Sequence, residues 1–508
     1  MSDQILTWIT FLPLLGMTAI LFVPKTNTAA VKAISLIFTG LPFLLATWLY
    51  FGLFDKTTAE LQFVQQVDWI GSLNAQYFVG VDGLSLALIW LTTLLLFVAV
   101  PASFGINKAQ KSYYALLLLL EVGINGVFVS QDYFLFYVYW EIMLLPMYFL
   151  IGIWGGPRRE YAAMKFFLYT LAGSVFMLIA VVALRLDSGT FSLPALTQLA
   201  YDGQLTGANL VNGGQLLGMK FTTWVFWFLF CGFAIKVPVF PFHTWLPDAH
   251  VQAPTPISVI LAGILLKLGG YGMLRACFTL VPDAFREFSY VLGVLGVISI
   301  VYGAFVALGQ TDFKRMVAYS SVSHMGYVLL GMAALTEWGM SGAAIQMFNH
   351  GTSAAVLFLV VGVIYDRAHH RDLNGFGGLS QVMPRYWALT TLGFFAAIGL
   401  PGLAGFISEF MILVGAYNSE VEGFQVLVVI SVIGIVLTAA FLLWAMQRVF
   451  LGTLNPKYKD YSDISTREIL CQAPFLALCV ILGILPFLLL DWMNPTIEAL
   501  VKTLQGAQ

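Results

Sequence analysis

The sequence predicts an all-α, polytopic membrane protein. Apolar residues make up 59% of the 508 residues and charged residues only 10%, and the mean hydropathy is +0.87. Soluble domains carry about a quarter charged residues, so this balance excludes an ordinary globular protein. Many apolar segments reach the ~20 residues that a helix needs to cross a bilayer. The segments do not alternate apolar and polar residues as barrel strands do, and they are therefore predicted to be helices.

About 14 such segments follow one another along the chain. They lie near residues 5–23, 31–53, 83–104, 113–130, 133–154, 161–184, 221–245, 256–278, 287–309, 314–335, 341–365, 386–418, 424–452 and 467–490. The seventh and the twelfth contain prolines and are predicted to be broken helices. The first lacks a basic region and a cleavage site, which favours a transmembrane helix over a signal peptide.

The basic residues divide unequally when the connecting segments are assigned alternately to the two membrane faces. Fifteen of the 24 fall on one face, namely Lys25, Lys32, Lys108, Lys111, Arg158, Arg159, Lys314, Arg315, Arg367, Arg371, Arg385, Arg448, Lys457, Lys459 and Arg467. Six fall on the other, namely Lys56, Arg185, Lys220, Arg275, Arg286 and Lys502. Basic residues favour the cytoplasmic side. Both termini are therefore predicted to face the periplasm of a bacterial inner membrane, or its equivalent.

The break in the seventh segment adjoins a lysine. Pro238 and Pro241 follow Lys236 closely, and proline removes a backbone donor and clashes with the preceding turn. A broken helix in a membrane needs protein or a water-filled cavity to satisfy its freed polar groups. This combination indicates an ion path. A kinked structural helix, whose lysine extends toward the interface, would explain the same residues.

Six ionisable residues lie inside predicted helices, and charges in that position are costly and usually functional. They are Glu121, Glu141, Lys165, Lys236, Lys267 and Glu409. Static ion pairs that tie helices together are one interpretation, but buried pairs contribute little stability because desolvation offsets the Coulomb gain. Burial shifts the pKa values of carboxylates and lysines toward neutrality from opposite sides. The pattern therefore favours a proton relay, with Glu121 and Lys165 as accessory members.

Three histidines fall in or beside the predicted helices: His243, His324 and His350. Each could be a hydrogen-bonded packing residue, but neighbouring lysines favour a relay because histidine titrates near neutral pH. Haem is disfavoured, since no segment offers two histidines at opposite depths. The remaining histidines, His250, His369 and His370, are predicted to lie in loops without a role. The glycines that follow Lys267, at positions 269, 270 and 272, are predicted to leave room for water beside its ammonium group.

Several binding functions lack their sequence signatures. The four cysteines form no Cys-x-x-Cys pair, and no dinucleotide-binding fingerprint or Walker loop is present. The net charge of −2 gives no indication of nucleic-acid binding. We therefore expect no metal, no cofactor and no nucleotide in this chain.

A weak internal repeat is also visible. The segment YAAMKFFLYTLAGS at 161–174 is similar to GAAIQMFNHGTS at 342–353, and a proline-broken segment follows each. The two copies lie five predicted helices apart, so they would have opposite orientations in the membrane. Inverted repeats with ion sites at broken helices are typical of transporters. Shared apolar composition alone could also produce this match.

Five motifs give the chain a specific resemblance. They are FLFYVYWEIMLLPMY at 134–148, KVPVFPFHTWLPDAH at 236–250, LAGILLKLGGYG at 261–272, DFKRMVAYSSVSHMG at 312–326 and GLPGLAGFISEF at 399–410. Over nearly its whole length the chain resembles the antiporter-like membrane subunits of respiratory complex I, NADH-quinone oxidoreductase. The resemblance is closest to the NuoM-type chain, because Glu409 stands where most members carry lysine and the long lateral helix of the NuoL-type chain is missing.

The resemblance implies an architecture of 14 helices. It divides the chain into N-terminal helices at 1–112, a first inverted repeat of helices 4–8 at 113–278, a second of helices 9–13 at 279–452, and helix 14 with a tail at 453–508. Helices 7 and 12 are the broken ones. Neighbouring NuoL-type and NuoN-type chains and the lipid bilayer are the implied partners.

The resemblance also implies roles for the buried residues. Glu141 would pair with Lys236 and tune its proton affinity, and Lys267 would be the central carrier. The histidines His324 and His350 would link the half-channels, and Glu409 would close the path toward the exit. The implied function is proton translocation coupled to quinone reduction in other subunits. The alternatives are a subunit of a multisubunit sodium/proton antiporter, a subunit of a membrane-bound hydrogenase or ferredoxin-driven complex, and a structural spacer.

Overall fold

The computed structural model of the protein describes residues 4–210, 214–216 and 218–506. Its helices in chain order are α1 Ile5–Phe22, α2 Thr28–Leu53, α3 Gly83–Ala102, α4 Gln110–Val129, α5 Tyr133–Trp154, α6 Arg159–Ser188, α7 Leu193–Tyr201, α8 Phe221–Lys236, α9 Trp245–Gln252, α10 Thr255–Leu280, α11 Pro282–Glu287, α12 Ser289–Leu308, α13 Phe313–Ala333, α14 Glu337–Ala368, α15 Pro384–Ile398, α16 Ala404–Tyr417, α17 Phe424–Phe450, α18 Thr466–Ile484 and α19 Phe487–Gly506. Its strands are β1 Gln62–Ile70, β2 Ala75–Val81, β3 Gln215–Leu216 and β4 Met219–Lys220. The strands form two antiparallel pairs, β1 with β2 and β3 with β4.

Among the described residues, 11 helices are long and apolar enough to cross a membrane. They are α1–α6, α10, α12, α14, α17 and α18. The helices α8 and α16, which belong to the interrupted segments, are apolar but shorter. The chain is therefore a mostly helical, multi-span integral membrane protein. The helices α10 and α14 are buried within the protein along their whole apolar windows, so they form the centre of the bundle.

Both predicted interruptions are present. The chain leaves helical geometry between α8 and α9, and the indole of Trp245 donates a 2.8 Å hydrogen bond back to the carbonyl of Ile235. The chain leaves helical geometry a second time between α15 and α16, where Gly399 and Gly402 adopt positive φ angles of 81° and 91°. Side chains other than glycine rarely adopt such angles. Both breaks therefore leave backbone carbonyls available to side chains inside the bundle.

Two corners of the fold are built alike. Asp132 caps the start of α5 by accepting from the backbone N–H of Leu135, and Asp312 caps α13 by accepting from Arg315, each at 2.9 Å. Each aspartate also pairs through its backbone with the segment that follows the next helix, at Ser192 and at Asp372. The first corner adjoins the β1–β2 hairpin, whereas the second adjoins the connections that carry most of the basic residues. The same capping and pairing pattern thus occurs twice along the chain.

The C-terminal segment is more ordered than the sequence predicts. The region after helix 14 was expected to be a tail, but residues 487–506 form the helix α19. Its Trp492 stacks on Tyr50 with the ring centroids 3.9 Å apart, and a Cβ added at Gly83 would collide with the backbone carbonyl of Trp492. Polar residues such as Asn494 and Glu498 interrupt the apolar run, so hydropathy along the sequence does not indicate this helix.

Arg275 does not lie in a connecting segment, where the assignment of basic residues to the two membrane faces placed it. It lies inside α10, and its guanidinium forms a short ion pair with the carboxylate of Asp82, whose side chain is 2% exposed. Asp82 also begins α3, accepting from the backbone N–H of Ser85 at 3.0 Å in a reciprocal capping box. One carboxylate thus joins the start of α3 to the end of α10.

Asp82→Ala should destabilise the protein by about 3–5 kcal/mol, because it leaves the Arg275 charge uncompensated in a buried position. Thermal unfolding of the purified protein in detergent measures this. Asp283→Ala is the matched control, since Asp283 is 80% exposed beside Arg286 and an exposed pair is worth about 0–1 kcal/mol. Equal unfolding temperatures for the two variants would contradict the prediction.

Candidate functional site

Lys236 ends the helix α8 at the first break, and its ammonium group lies among aromatic rings. Its Nζ is 5.3 Å from the ring centroid of Trp140 and 5.5 Å from that of Phe166. The side chain is buried, and no described residue forms a hydrogen bond with Nζ. Aromatic faces attract a cation but provide no acceptor lone pair. The proton on this amine is therefore held without a fixed hydrogen-bond partner.

Glu141 approaches Lys236 from α5. The two side chains interact electrostatically, but they are not among the ion pairs within 4.0 Å in the described part of the chain. The Oε1 atom of Glu141 is buried and also makes no hydrogen bond there. The implied pairing of Glu141 with Lys236 is thus a charge interaction at a distance. Such a pair can adjust its proton affinity without first breaking a hydrogen bond.

Lys267 lies at the centre of α10, where two wide π-helical turns, Leu261–Leu265 and Met273–Cys277, flank a short α-helical stretch. Turns of this kind are rare and occur often at functional sites. The ammonium group of Lys267 donates a short hydrogen bond to the carbonyl of Ala262, inside the first π turn. The distance from Lys267 Nζ to His350 Nδ1 is 2.7 Å. Lysine and histidine therefore share one proton across this contact.

Chemistry limits that contact to two states. An ammonium group on Lys267 can donate to the lone pair of His350 Nδ1, or an N–H at Nδ1 can donate to a neutral amine. An ammonium N–H pointing at an Nδ1–H would leave two donors and no acceptor in the contact. His350 Nε2 makes no hydrogen bond with any described residue. That nitrogen is available to pass a proton onward.

The imidazole rings of His350 and His324 stack, with centroids 5.4 Å apart and 27° between their planes. The Nδ1 atom of His324 lies 2.7 Å from the carbonyl oxygen of Ser320, and Nε2 lies 3.0 Å from that of Ala397. Carbonyl oxygens only accept. Each contact is a hydrogen bond when that ring nitrogen carries a proton, so either nitrogen of His324 can hold one.

Glu409 lies beside His324. Its Oε1 is 3.7 Å from Nε2 of His324, and the residue is buried in the second turn of α16. Gln346 and Ser408 beside it form a 2.5 Å hydrogen bond, and Asn349 donates to the carbonyl of Ala404 at 2.8 Å. These polar groups satisfy the backbone at the second break. Lys267, His350, His324 and Glu409 thus form one continuous row, brought together from four helices.

The three accessory residues lie apart from this row. Lys165 forms a 2.7 Å ion pair with Asp248, and each side chain is about one-fifth exposed. His243 packs between the rings of Phe240 and Tyr302, with centroid distances of 5.7 and 5.1 Å. The carboxylate of Glu121 is fully buried in α4, and neither oxygen bonds to a described residue. Of the three, only Lys165 has a charged partner, Asp248, which the sequence interpretation did not use.

Two residues were placed wrongly in loops. His250 lies in α9 and is 0% exposed, and Lys314 lies in the first turn of α13 and is 3% exposed. Neither could be distinguished by hydropathy, because each lies near the end of an apolar segment. One signal was available: both belong to the motifs that carry the resemblance.

The predicted space for water beside the glycines of α10 is wrong. A Cβ at Gly269 would lie 2.8 Å from the carbonyl oxygen of Phe233 and 2.7 Å from the side chain of Val237. A Cβ at Gly272 would meet the ring of Phe233, and one at Gly270 would meet the sulfur of Met347. These glycines allow α8 and α14 to pack closely against the lysine helix, and no hydration space lies there.

The described residues contain no cluster of three or more histidine, cysteine or acidic side chains that could hold a metal ion. All four cysteines are free thiols, and three of them are buried.

Comparison with known proteins agrees with this geometry. Residues 130–438 match the family model described as "NADH:quinone oxidoreductase/Mrp antiporter, TM". The chain belongs to this family. It is 41% identical over 505 residues to "NADH-quinone oxidoreductase subunit M" of Rhodobacter capsulatus, covering 98% of this chain and 97% of the relative. The resemblance inferred from the five motifs is therefore confirmed.

Solved structures show the same fold. A chain of respiratory complex I from Thermus thermophilus, with bound NADH in that structure, superposes with a TM-score of 0.85 at 29% identity, covering 99% of this chain and all of that one. A chain of the Mrp complex from Dietzia sp. DQ12-45-1b has a TM-score of 0.81 at 23% identity, covering 98% of this chain but 52% of the other. The second match shows the fold alone.

Gly269→Ala should destabilise the protein by about 1–3 kcal/mol, because the added methyl group meets backbone at the lysine helix and forces a core shift. Gly71→Ala is the control, since a Cβ there has open space around it. Thermal unfolding in detergent compares the two variants. Unchanged stability of Gly269→Ala would mean that α10 is packed less tightly than the structure indicates.

Proposed function

We propose that this chain is a proton-translocating subunit of the membrane arm of a complex I-type NADH-quinone oxidoreductase. The observation that carries the proposal is the row of ionisable side chains Lys267, His350, His324 and Glu409. Lys267 Nζ is 2.7 Å from His350 Nδ1, the two imidazole centroids are 5.4 Å apart, and His324 Nε2 is 3.7 Å from Glu409 Oε1. The similarity along the whole chain to a relative named as subunit M of that enzyme supports the assignment.

The row works by moving one proton at a time. When Lys267 gives its proton to His350 Nδ1, His350 can release a different proton from Nε2 toward His324. His324 then holds a proton on each nitrogen, and Glu409 accepts one from Nε2 after a small approach. Each step breaks one N–H bond and forms another N–H or O–H bond, so no oxidant is required. A charge that crosses the membrane potential changes the free energy by about 2.3 kcal/mol per 100 mV.

Glu141 and Lys236 form the preceding element of this path. A negative Glu141 favours a protonated Lys236, and a neutral Glu141 lets that proton leave. Because the two side chains form no direct ion pair, the protonation state of Lys236 can change without breaking a hydrogen bond to Glu141. Glu121, Lys165 and His243 are assigned accessory roles at the margins of the path.

The proposed architecture has 14 transmembrane helices and two inverted repeats, helices 4–8 and 9–13, with the segment boundaries at 112, 278 and 452. The helix α13 and the two interrupted segments would add to the 11 apolar helices. The matching corners at Asp132 and Asp312, 180 positions apart, support the repeat. The unequal distribution of basic residues supports an orientation with both termini in the periplasm of a bacterial inner membrane.

The chain itself would carry no redox centre, and electron transfer to quinone would take place in other subunits. NuoL-type and NuoN-type chains are its proposed neighbours in the membrane arm. The assignment to a complex I-type enzyme, in preference to a sodium/proton antiporter or a hydrogenase arm, draws on the higher identity and full mutual coverage of the relative from Rhodobacter capsulatus. Glu409, in place of a lysine, distinguishes this chain from most antiporter-like members.

Lys267→Ala and Lys267→Arg should both abolish or strongly reduce proton translocation in the assembled complex. Alanine removes the carrier, and arginine retains its proton under all physiological conditions. Acidification of sealed membrane vesicles during quinone reduction measures the effect, with subunit assembly checked first. The exposed lysine variant Lys457→Ala is the control. If Lys267→Arg translocates protons normally, the lysine is a static charge and the relay is wrong.

Glu409→Ala should likewise stop translocation, because the last acceptor of the row is lost. Glu409→Lys should retain part of the activity, since lysine can also accept and release a proton. The same vesicle assay ranks these variants, and Glu420→Ala on an exposed turn should behave like the parent chain. Normal pumping by Glu409→Ala would place the exit elsewhere.

A further inference from the structure

His250 is a buried titratable group that the row from Lys267 to Glu409 does not use. It lies in α9, directly after the first break, with no exposed surface. Its ring stacks on Phe358 at a centroid distance of 4.4 Å and an angle of 12°. Both ring nitrogens are buried and form no hydrogen bond with a described residue. A buried polar group without partners is costly, so this position calls for an explanation other than packing.

Charged and titratable groups lie near His250. It interacts electrostatically with Lys314, Lys267 and His350. Lys314 is itself buried, and its Nζ donates a 2.5 Å hydrogen bond to the carbonyl of Ala253, the residue that follows α9. The ring of His250 stacks on Phe358 of α14, the helix that also carries His350. His250 is therefore coupled both to a second buried lysine and to the proton-sharing pair.

Lys314 also borders a cavity of about 130 Å³. The cavity is lined in part by Gln252, Tyr365 and Arg371, and it opens among the connections that carry most of the basic residues. Arg371 is fixed there by a 2.6 Å hydrogen bond to the carbonyl of Val251 and a 3.1 Å ion pair with Asp312. A polar cavity of this volume has room for about four waters at liquid density. Water can thus reach Lys314 from the basic face.

We propose that Lys314 and His250 form an entry branch that delivers protons from this cavity to the Lys267–His350 pair. Lys314 gives a proton toward a free nitrogen of His250 and regains one from cavity water. His250 releases a proton from its other nitrogen toward His350 or Lys267. Because His250 has no direct hydrogen bond to these groups, a ring rotation or a water molecule completes each transfer. Every step breaks one N–H or O–H bond and forms another, so no oxidant or reductant is required.

This inference rests on the proposed translocation function but adds two residues and a route of access. The alternative is that His250 has only a structural role, in which its ring stacks on Phe358. Phenylalanine preserves a flat ring in that position and cannot carry a proton. Glutamine preserves polarity and likewise cannot carry a proton between two nitrogens. The two substitutions therefore separate stacking and polarity from proton transfer.

The test uses the whole assembled complex in sealed membrane vesicles. His250→Phe, His250→Gln and Lys314→Met should each lower the initial rate of acidification about a hundredfold, the smaller end of the ~10²–10⁴-fold that a positioned proton-transfer group contributes. His369→Gln, at an exposed histidine, should leave that rate unchanged. Assembly and the quinone-reduction rate in vesicles made leaky with an uncoupler are measured in parallel, and both should stay near the parent values.

A second measurement does not depend on altering either residue. Gln252→Cys introduces a thiol at the cavity wall, and a membrane-impermeant thiol reagent added from the basic face should then slow acidification, while the parent chain with its native cysteines should be unaffected. Normal acidification by an assembled His250→Phe variant, or by the labelled Gln252→Cys variant, would overturn the entry branch. If Lys267→Ala still failed to pump in that case, the proposed function would stand and only this branch would be lost. Normal pumping by Lys267→Ala would refute the function itself.

Discussion

The contact between Lys267 and His350 is the constraint on which the rest of the site depends. Two basic groups 2.7 Å apart inside a low-dielectric bundle cannot both hold a proton at the point where they meet. The contact therefore holds one proton between the two nitrogens, on the amine or on the imidazole, and the neighbouring groups influence where it lies. His324 faces two carbonyl oxygens and the carboxyl group of Glu409, so each of its ring nitrogens can carry a proton. The proton shared by Lys267 and His350 thus lies next to a second imidazole that has acceptors on both sides.

Irregular backbone supplies the acceptors that make this possible. Lys267 donates to a carbonyl inside a π-helical turn, and His324 contacts the carbonyl of Ala397, one residue before α15 ends. In regular α-helix those oxygens would be occupied by the backbone, but widened turns and helix ends leave them free. The free carbonyls of the broken and widened helices therefore accept hydrogen bonds from the buried ionisable groups, as water does in solution. This links the prolines and glycines of the sequence to the chemistry of the buried charges.

The sequence alone predicted the helical class, the two breaks and the residues of the central row, because hydropathy, proline and buried charge are local signals. It missed His250 and Lys314, since both lie near segment ends where a one-turn shift decides between a loop and a buried position. The glycines after Lys267 were interpreted wrongly for a related reason. A glycine can either leave an open space or allow a neighbouring helix to pack closely. Which of the two occurs here depends on the positions of the helices Phe221–Lys236 and Glu337–Ala368, which a local sequence pattern does not give. The ion pair between Arg275 and Asp82 joins residues 193 positions apart, which no local pattern could show.

The close packing at Gly269, Gly270 and Gly272 limits the way in which this site can move. The helix that carries Lys267 is held between Phe233 and Val237 on one side and Met347 on the other, with no space for even one methyl group. Its backbone is therefore a fixed pivot, and sliding or rotation of the helix would require both neighbours to move with it. What remains free is the flexible aliphatic arm of the lysine above that pivot. Switching at this site is thus a matter of side-chain torsions rather than of helix movement.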